Sequence, residues 1–183
     1  DAGVSALGQA QLAFLVAGGR GNHPSAHGFG NLYGRGADTP GRTQHFVVFE
    51  LAADRRLIDL PGFGYAAVYK SMRAHWDETI PLYLEERASL AGLVLIADAR
   101  HPLRAEELAL VRWTAAAQVP QALLLNKADK LGRQAQALAV RAARESLRAC
   151  GADPANVRTF SAVEKDGVPA LRQTVDAWMA QGR

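Results

Sequence analysis

The sequence predicts an α/β fold, a mostly parallel sheet with helices on both faces. Three observations carry that expectation. Short apolar runs alternate with helical stretches along most of the 183 residues, the pattern of strand–helix–strand units. Several of the runs are apolar almost without a break, as in strands covered on both faces. The stretches between them open with helix-start chemistry or place apolar residues at helical spacing.

Six strands are expected: LAFLV (12–16), FVVFE (46–50), RLIDL (56–60), GLVLIAD (92–98), ALLLN (122–126) and VRTF (157–160). The last four are the near-continuous apolar runs. FVVFE and RLIDL are separated only by LAADR, short enough for an antiparallel hairpin. Of the helices, residues 69–90 are interrupted at Pro81, where a break or kink is expected. Residues 102–118 open with Pro102, Glu106 and Glu107, favourable first-turn chemistry. Residues 133–149 place Leu138, Ala142 and Leu147 on one side, and residues 168–180 place Val168, Leu171, Val175 and Trp178 at core spacing. The stretch 17–44 has many glycines and no periodicity, which marks a long functional loop.

Length and composition fit one domain, residues 1–183, with a full core. Hydrophobic residues make up 49% and charged residues 21%, as in a globular protein in water. No apolar run approaches the roughly 20 residues needed to span a bilayer, and DAGVSALGQAQ lacks the basic region and apolar core of a signal peptide. Cys150, the single cysteine, rules out an internal disulfide and fits a reducing, cytoplasmic setting. A net charge of +3 permits a nucleic-acid partner without demanding one.

Four short motifs sit at strand ends or beside them, in one chain order. In DLPG (59–62), Asp59 can hold magnesium through water and the Gly62 N–H can approach a terminal phosphate. In NKAD (126–129), Asp129 can accept two hydrogen bonds from N1 and N2 of guanine. Asn126 can bond the base's other edge, with the aliphatic stem of Lys127 over the ring. In FSA (160–162), the Ala162 N–H can meet guanine O6, and TPGRTQ (39–44) offers Thr43 as a hydroxyl ligand for Mg2+. Each motif alone is an ordinary turn. Asp59, Asn126 and Ser161, each closing or following a strand in that order, form the arrangement of a GTP-binding domain. Asp129 also disfavours an ATP-dependent kinase or ATPase, because adenine has no matching donors.

TPGRTQH, DLPGFGYA, YLEERASLAGLVLIADARHPL, LLNKADKL and FSAVEKDGVPALRQTVDAWM together resemble the EngB (YihA/YsxC) family of ribosome-assembly GTP-binding proteins. The resemblance covers residues 39 onward, about four-fifths of the chain. It implies a three-layer, Ras-like P-loop NTPase G domain with six strands, five parallel and one antiparallel at the edge. It implies a nucleotide site of Gly19, Arg20, Asn22, Gly41, Arg42, Thr43, Asp59, Gly62, Asn126, Lys127, Asp129, Phe160, Ser161 and Ala162. The implied cofactor is Mg2+ at Thr43 and, through water, Asp59, with K+ assisting at Asn22. The implied partners are GTP or GDP and the pre-ribosomal large subunit, its rRNA and proteins, for a cytoplasmic monomer linked to bacterial growth and division. Asn126 stands where the family often has threonine, and asparagine is the commoner choice across GTPases.

The first loop departs from the family. Gly19, Arg20 and Asn22 follow the pattern G-R-S-N-x-G-K-S, but Pro24, Ser25 and Ala26 fall on Gly-Lys-Ser. No lysine precedes Lys70, so no shift of the alignment restores the motif. Proline removes an N–H donor, Ser25 supplies no cation and Ala26 cannot ligate magnesium. With hydrogen bonds to charged groups contributing about 1.5–3 kcal/mol each, the loss is roughly 3–6 kcal/mol, or about two to four decades of affinity. Two explanations remain open: a degenerate G domain, or an altered stretch at 15–38. His23 and His27 lack a third ligand, which disfavours a metal site there.

The leading expectation is a guanine-nucleotide switch with slow hydrolysis, since Phe63 stands where Ras-type enzymes carry their water-positioning glutamine. Residues 34–45 and 62–72 are the expected switch segments. The alternative is a pseudo-GTPase, a nucleotide-independent ribosome- or RNA-binding module. Arg141, Arg144 and Arg148 share one helix face, either solvated or set against RNA phosphates.

Overall fold

The computed structural model describes residues 13–18, 47–52, 55–60 and 90–181. Within them, strands β1 (Ala13–Gly18), β2 (Val47–Ala52), β3 (Arg55–Leu60), β4 (Leu90–Asp98), β5 (Gln121–Asn126) and β6 (Val157–Thr159) form one sheet in the order β2-β3-β1-β4-β5-β6. Helices α1 (Ala105–Ala116), α2 (Arg133–Ala149) and α3 (Val168–Gln181) follow β4, β5 and β6 respectively.

The apolar alternation of the central strands builds three layers. Leu93, Leu95 and Ala97 of β4 with Leu123 and Leu125 of β5 form one core with Leu110 and Val111 of α1 and Ala143 and Leu147 of α2. Val94 and Ile96 with Ala122 and Leu124 point the other way, against Trp178, Met179, Leu171 and Val175 of α3. Gly92 lets α3 come close: a methyl group there would stand 2.2 Å from Trp178 Cε3. The expected helices on both faces are present. The helix candidate at 69–90 lies outside the described residues.

Strand direction has two sources. β4, β5 and β6 are parallel neighbours, pairing Asp98 with Asn126 and Leu125 with Thr159, because α1 and α2 carry the chain back between them. β2 and β3 form the expected antiparallel hairpin, extended until Ala52 pairs with Arg55. β1 departs from expectation. It runs antiparallel to both β3 and β4, so two strands, not one edge strand, oppose the rest. An apolar strand pairs in either sense, and AFLVAG carries no mark of direction. Its direction belongs to the connections around it.

Two helix faces also differ from the periodicity. On α2 the covered residues are Ala143 and Leu147, with Ala139 and Val140 partly covered, whereas Leu138 is 59% exposed and Ala142 is exposed. Small side chains let α2 lie close to its neighbours, and that proximity outweighs the greater hydrophobicity of Leu138. On α3 the buried residues are Trp178 and Met179, while Val168 at the helix start is exposed. Cys150 is a partly buried free thiol just beyond α2.

Candidate functional site

β3 to β6, leaving β1 aside, run in one direction, so their carboxyl ends share one edge of the sheet. β5 ends at Asn126. Lys127 then adopts the left-handed conformation at φ 64°, and Ala128–Lys130 closes a single 3₁₀ turn. The Phe160 N–H donates to Leu125 C=O at 2.9 Å and the Ala128 N–H donates to Phe160 C=O at 3.1 Å, joining the ends of β5 and β6. The Gln136 amide of α2 donates to the Ala128 and Leu131 carbonyls at 2.9 and 3.0 Å, bracing the turn from behind.

Side chains complete the corner. The Ser161 hydroxyl donates to Asp129 Oδ1 at 2.8 Å, and accepts from the Glu164 N–H at 3.1 Å. The Ala162 N–H donates to Asn126 Oδ1 at 3.2 Å. The hydrogen bond from Ser161, with Lys130 beside it, holds the Asp129 carboxyl below the usual carboxylate range. Lys130 Nζ lies 3.0 Å from Asp129 Oδ2. Asn126, Lys127, Asp129, Phe160, Ser161 and Ala162 are thus brought together. Phe160 is buried and belongs to the core beneath α3; its backbone, rather than its ring, shapes the corner. The Ala162 N–H expected for a ligand oxygen is engaged by Asn126 here.

One pair of contributors escaped the sequence reading. Asp98 ends β4 beside Asn126. Arg100 grips it with Nε at 2.9 Å and Nη2 at 2.7 Å, and with its backbone N–H at 3.0 Å. Lys127 Nζ reaches the same carboxylate at 3.1 Å. The Arg100 hydrogen bonds, with Lys127 adding, hold Asp98 well below the usual carboxylate range against the opposing effect of burial. The signal was available: Asp98 closes an apolar strand, as Asn126 does.

Asp59 lies on β3, next to its last residue. Three strand steps separate it from Asn126, roughly 14 Å along the edge. Burial pushes its carboxyl up to about 6, and its Oδ1 is buried with no hydrogen-bond partner among the described residues. An orphaned buried acceptor is costly unless something donates to it. Water on a hydrated cation supplies such donors, so Asp59 fits the role expected for Mg2+. Among the described residues, no three His, Cys, Asp or Glu side chains gather as a metal cluster. Gly19, Arg20, Asn22, Pro24, Ser25, Ala26, Gly41, Arg42, Thr43, Gly62 and Phe63 lie outside the described residues. Gly18, the last residue of β1, pairs with Arg55 at the opposite edge.

A sheet layered between helices, with an Asn-Lys-Ala-Asp turn braced by a Phe-Ser-Ala turn at the strand ends, defines a G domain. Solved structures agree on the fold. A "probable GTP-binding protein engB" aligns with TM-score 0.64 over 80% of this chain and 86% of that one, at 18% identity. Translation elongation factor SelB from Methanococcus maripaludis, in complex with the GTP analogue GppNHp, aligns with TM-score 0.55 over 76% of this chain and 28% of that one, at 14% identity. Sequence relatives are nearer. The "Probable GTP-binding protein EngB" of Xylella fastidiosa is 40% identical over 153 residues, 84% of this chain and 75% of that protein. The protein of the same name from Pasteurella multocida is 41% identical over 146 residues, 80% and 71% of the two chains. The chain belongs to the EngB family of GTP-binding proteins. No protein-family model matches it.

Proposed function

We propose that this chain binds GTP and GDP as a slow GTPase switch and serves large-subunit ribosome assembly in the cytoplasm, as a monomer. The observation that carries the nucleotide reading is the Ser161–Asp129 hydrogen bond of 2.8 Å. It aims a carboxylate, rather than an amide, at the position where guanine presents its N1–H and N2–H donors. Lys130 occupies the second oxygen, but its side chain is 63% exposed. The Asp129 side chain is itself only 6% exposed, so a base that displaces the lysine must offset its charge with the two N–H donors it brings. The distance from this corner to Asp59 suits an extended nucleoside triphosphate, its base at β5–β6 and its γ-phosphate near β3.

In this reading Asp59, through water, and Thr43 would hold Mg2+. The ion, when bound, neutralises charge on the β- and γ-phosphates. Phe63 offers neither donor nor acceptor to an attacking water, which makes intrinsic hydrolysis slow, and Asn22 is the residue toward which K+ assists. The ribosomal partner rests on family membership and on a basic groove. Arg133, Arg141, Arg144 and Arg148 of α2 line a groove of about 580 Å³ beside Thr159 of β6. Among the described residues, Arg141 alone of the four has an acidic neighbour across it, Glu145 at 3.0 Å. The guanidinium forks of Arg141, Arg144 and Arg148, one turn apart, suit RNA phosphates. Among the described residues no helix is long and apolar enough to cross a membrane.

Pro24-Ser25-Ala26 favours a second reading, a G-domain-shaped module that works without nucleotide. Titration with fluorescent GDP and GTP, with and without Mg2+, separates the two. Guanine-selective binding in the micromolar range supports the switch. No binding at hundreds of micromolar, on a chain whose mass confirms NHPSAH, leaves the nucleotide-independent module.

A further inference from the structure

The stretch Asp98–Arg100 has no part in the four motifs, yet it is tied to one of them. Lys127 stands at φ 64°, a conformation that a non-glycine residue adopts at a cost. That turn swings its side chain back toward β4, where Nζ meets Asp98 Oδ2 at 3.1 Å. The backbone follows the same route: the Ala99 N–H donates to Asn126 C=O at 2.8 Å. Asp98 is not free to follow the lysine about, because the Arg100 fork grips both its oxygens and the Arg100 N–H adds a third bond. The Asp98 side chain is 16% exposed and that of Lys127 26%. A partly covered, charge-assisted contact of this kind orients a side chain more firmly than an exposed pair.

We propose that Asp98, locked by Arg100, is a positioning residue for guanine-nucleotide binding. It anchors the Lys127 ammonium at the end of β4 and so holds the lysine stem across the face on which the base lies. The proposal rests on the guanine reading above. Its energetic content is the freezing of one long side chain before the ligand arrives, the advantage of preorganisation. Because the stem touches the ring and not its edge, Asp98 acts on affinity for guanine and hypoxanthine alike. Asp129, by contrast, acts on the difference between them, since only guanine carries N2.

The test is a titration of the full chain with fluorescent GDP and IDP, using Asp98→Asn, Lys127→Met and the double variant. Asp98→Asn is expected to weaken both nucleotides about tenfold, equivalent to about 1.4 kcal/mol, with the GDP:IDP ratio unchanged. In the Lys127→Met background it should weaken neither further. An additive effect would mean that Asp98 serves the fold rather than the lysine, and would overturn the proposal. So would wild-type affinity in Asp98→Asn. Arg100→Ala covers the case in which Asp98→Asn does not fold: it keeps the backbone N–H bond to Asp98 but removes the guanidinium fork, and is expected to weaken GDP and IDP equally by a smaller factor. Wild-type affinity in a folded Arg100→Ala would also overturn the proposal. Failure of the wild-type chain to bind either nucleotide removes the guanine reading, and this inference with it. Wild-type binding with unaffected variants removes the inference alone.

Discussion

Asp129 concentrates the chemistry of the corner in two oxygens, one held by Ser161 and the other paired with Lys130. Asp129→Asn keeps the shape but replaces one acceptor by a donor. GDP affinity should fall by about one to two decades, from the loss of a charged hydrogen bond of about 1.5–3 kcal/mol. Xanthine nucleotides, with a carbonyl in place of N2, should gain, and competition between GDP and XDP measures both. Asp59 makes a different prediction. Its folded-state pKa of about 6 lies above the ordinary 3.8, so the folded protein holds this proton more tightly than the unfolded chain does. The carboxyl costs nothing below about pH 4, destabilises progressively as pH rises toward about 6, and costs its full amount above that. Asp59→Asn should therefore be more stable than the wild type at pH 8, with the gap closing as pH falls to 4. Urea midpoints across that range decide it, and a gap independent of pH would contradict the burial account. Both residues were legible as strand-end motifs. Asp98 stood at a strand end too, but its contact with Lys127, which follows another strand, was not legible.

At the scale of elements, close approach is the recurrent device. α3 reaches the sheet only because Gly92 has no side chain under Trp178. Gly92→Ala must push the indole or the helix aside. The expected cost is about 1–3 kcal/mol, the usual range for overpacking a filled core, and an unchanged thermal midpoint would refute it. Gly167 serves the turn between β6 and α3. It sits at φ 84°, and a Cβ there would stand 2.9 Å from Phe160 Cδ2. The helices and strands were legible from apolar runs and the acidic first turn of α1, although α1 starts at Ala105, three residues beyond the Pro102 expected to open it. The inner face of α2 was not, because Ala143 wins its place by fitting and Leu138 loses it by pointing elsewhere. Periodicity ranks residues by hydrophobicity, whereas packing ranks them by shape.

For the whole molecule, the excess positive charge has an address. α2 carries four arginines on its exposed groove against one glutamate, matching in sign the +3 of the entire chain. If this groove faces RNA, affinity for a structured RNA oligonucleotide should fall steeply with salt. Replacing Arg141, Arg144 and Arg148 together by glutamine should reduce the slope of log K against log salt by roughly 2–3, about one for each phosphate that is no longer neutralised. Guanine-nucleotide binding should be untouched, since the three arginines make none of the hydrogen bonds that join Asn126, Asp129, Ser161 and Ala162. An unaltered salt slope would return these arginines to a merely solvated face.

By itself the sequence determined the α/β class, the six strands, the three described helices and the residues of the Asn126–Asp129 and Phe160–Ala162 turns. Those properties are local. They follow from apolar period, from capping and turn chemistry, and from motifs a few residues long. Tertiary structure alone decided three things: which face of α2 is inward, in which direction β1 runs, and that Asp98 and Arg100 hold Lys127. Each is a relation between segments far apart in the chain. Such relations are settled by the shapes that pack, by the connections between strands and by charges that meet across them, none of which a linear pattern records.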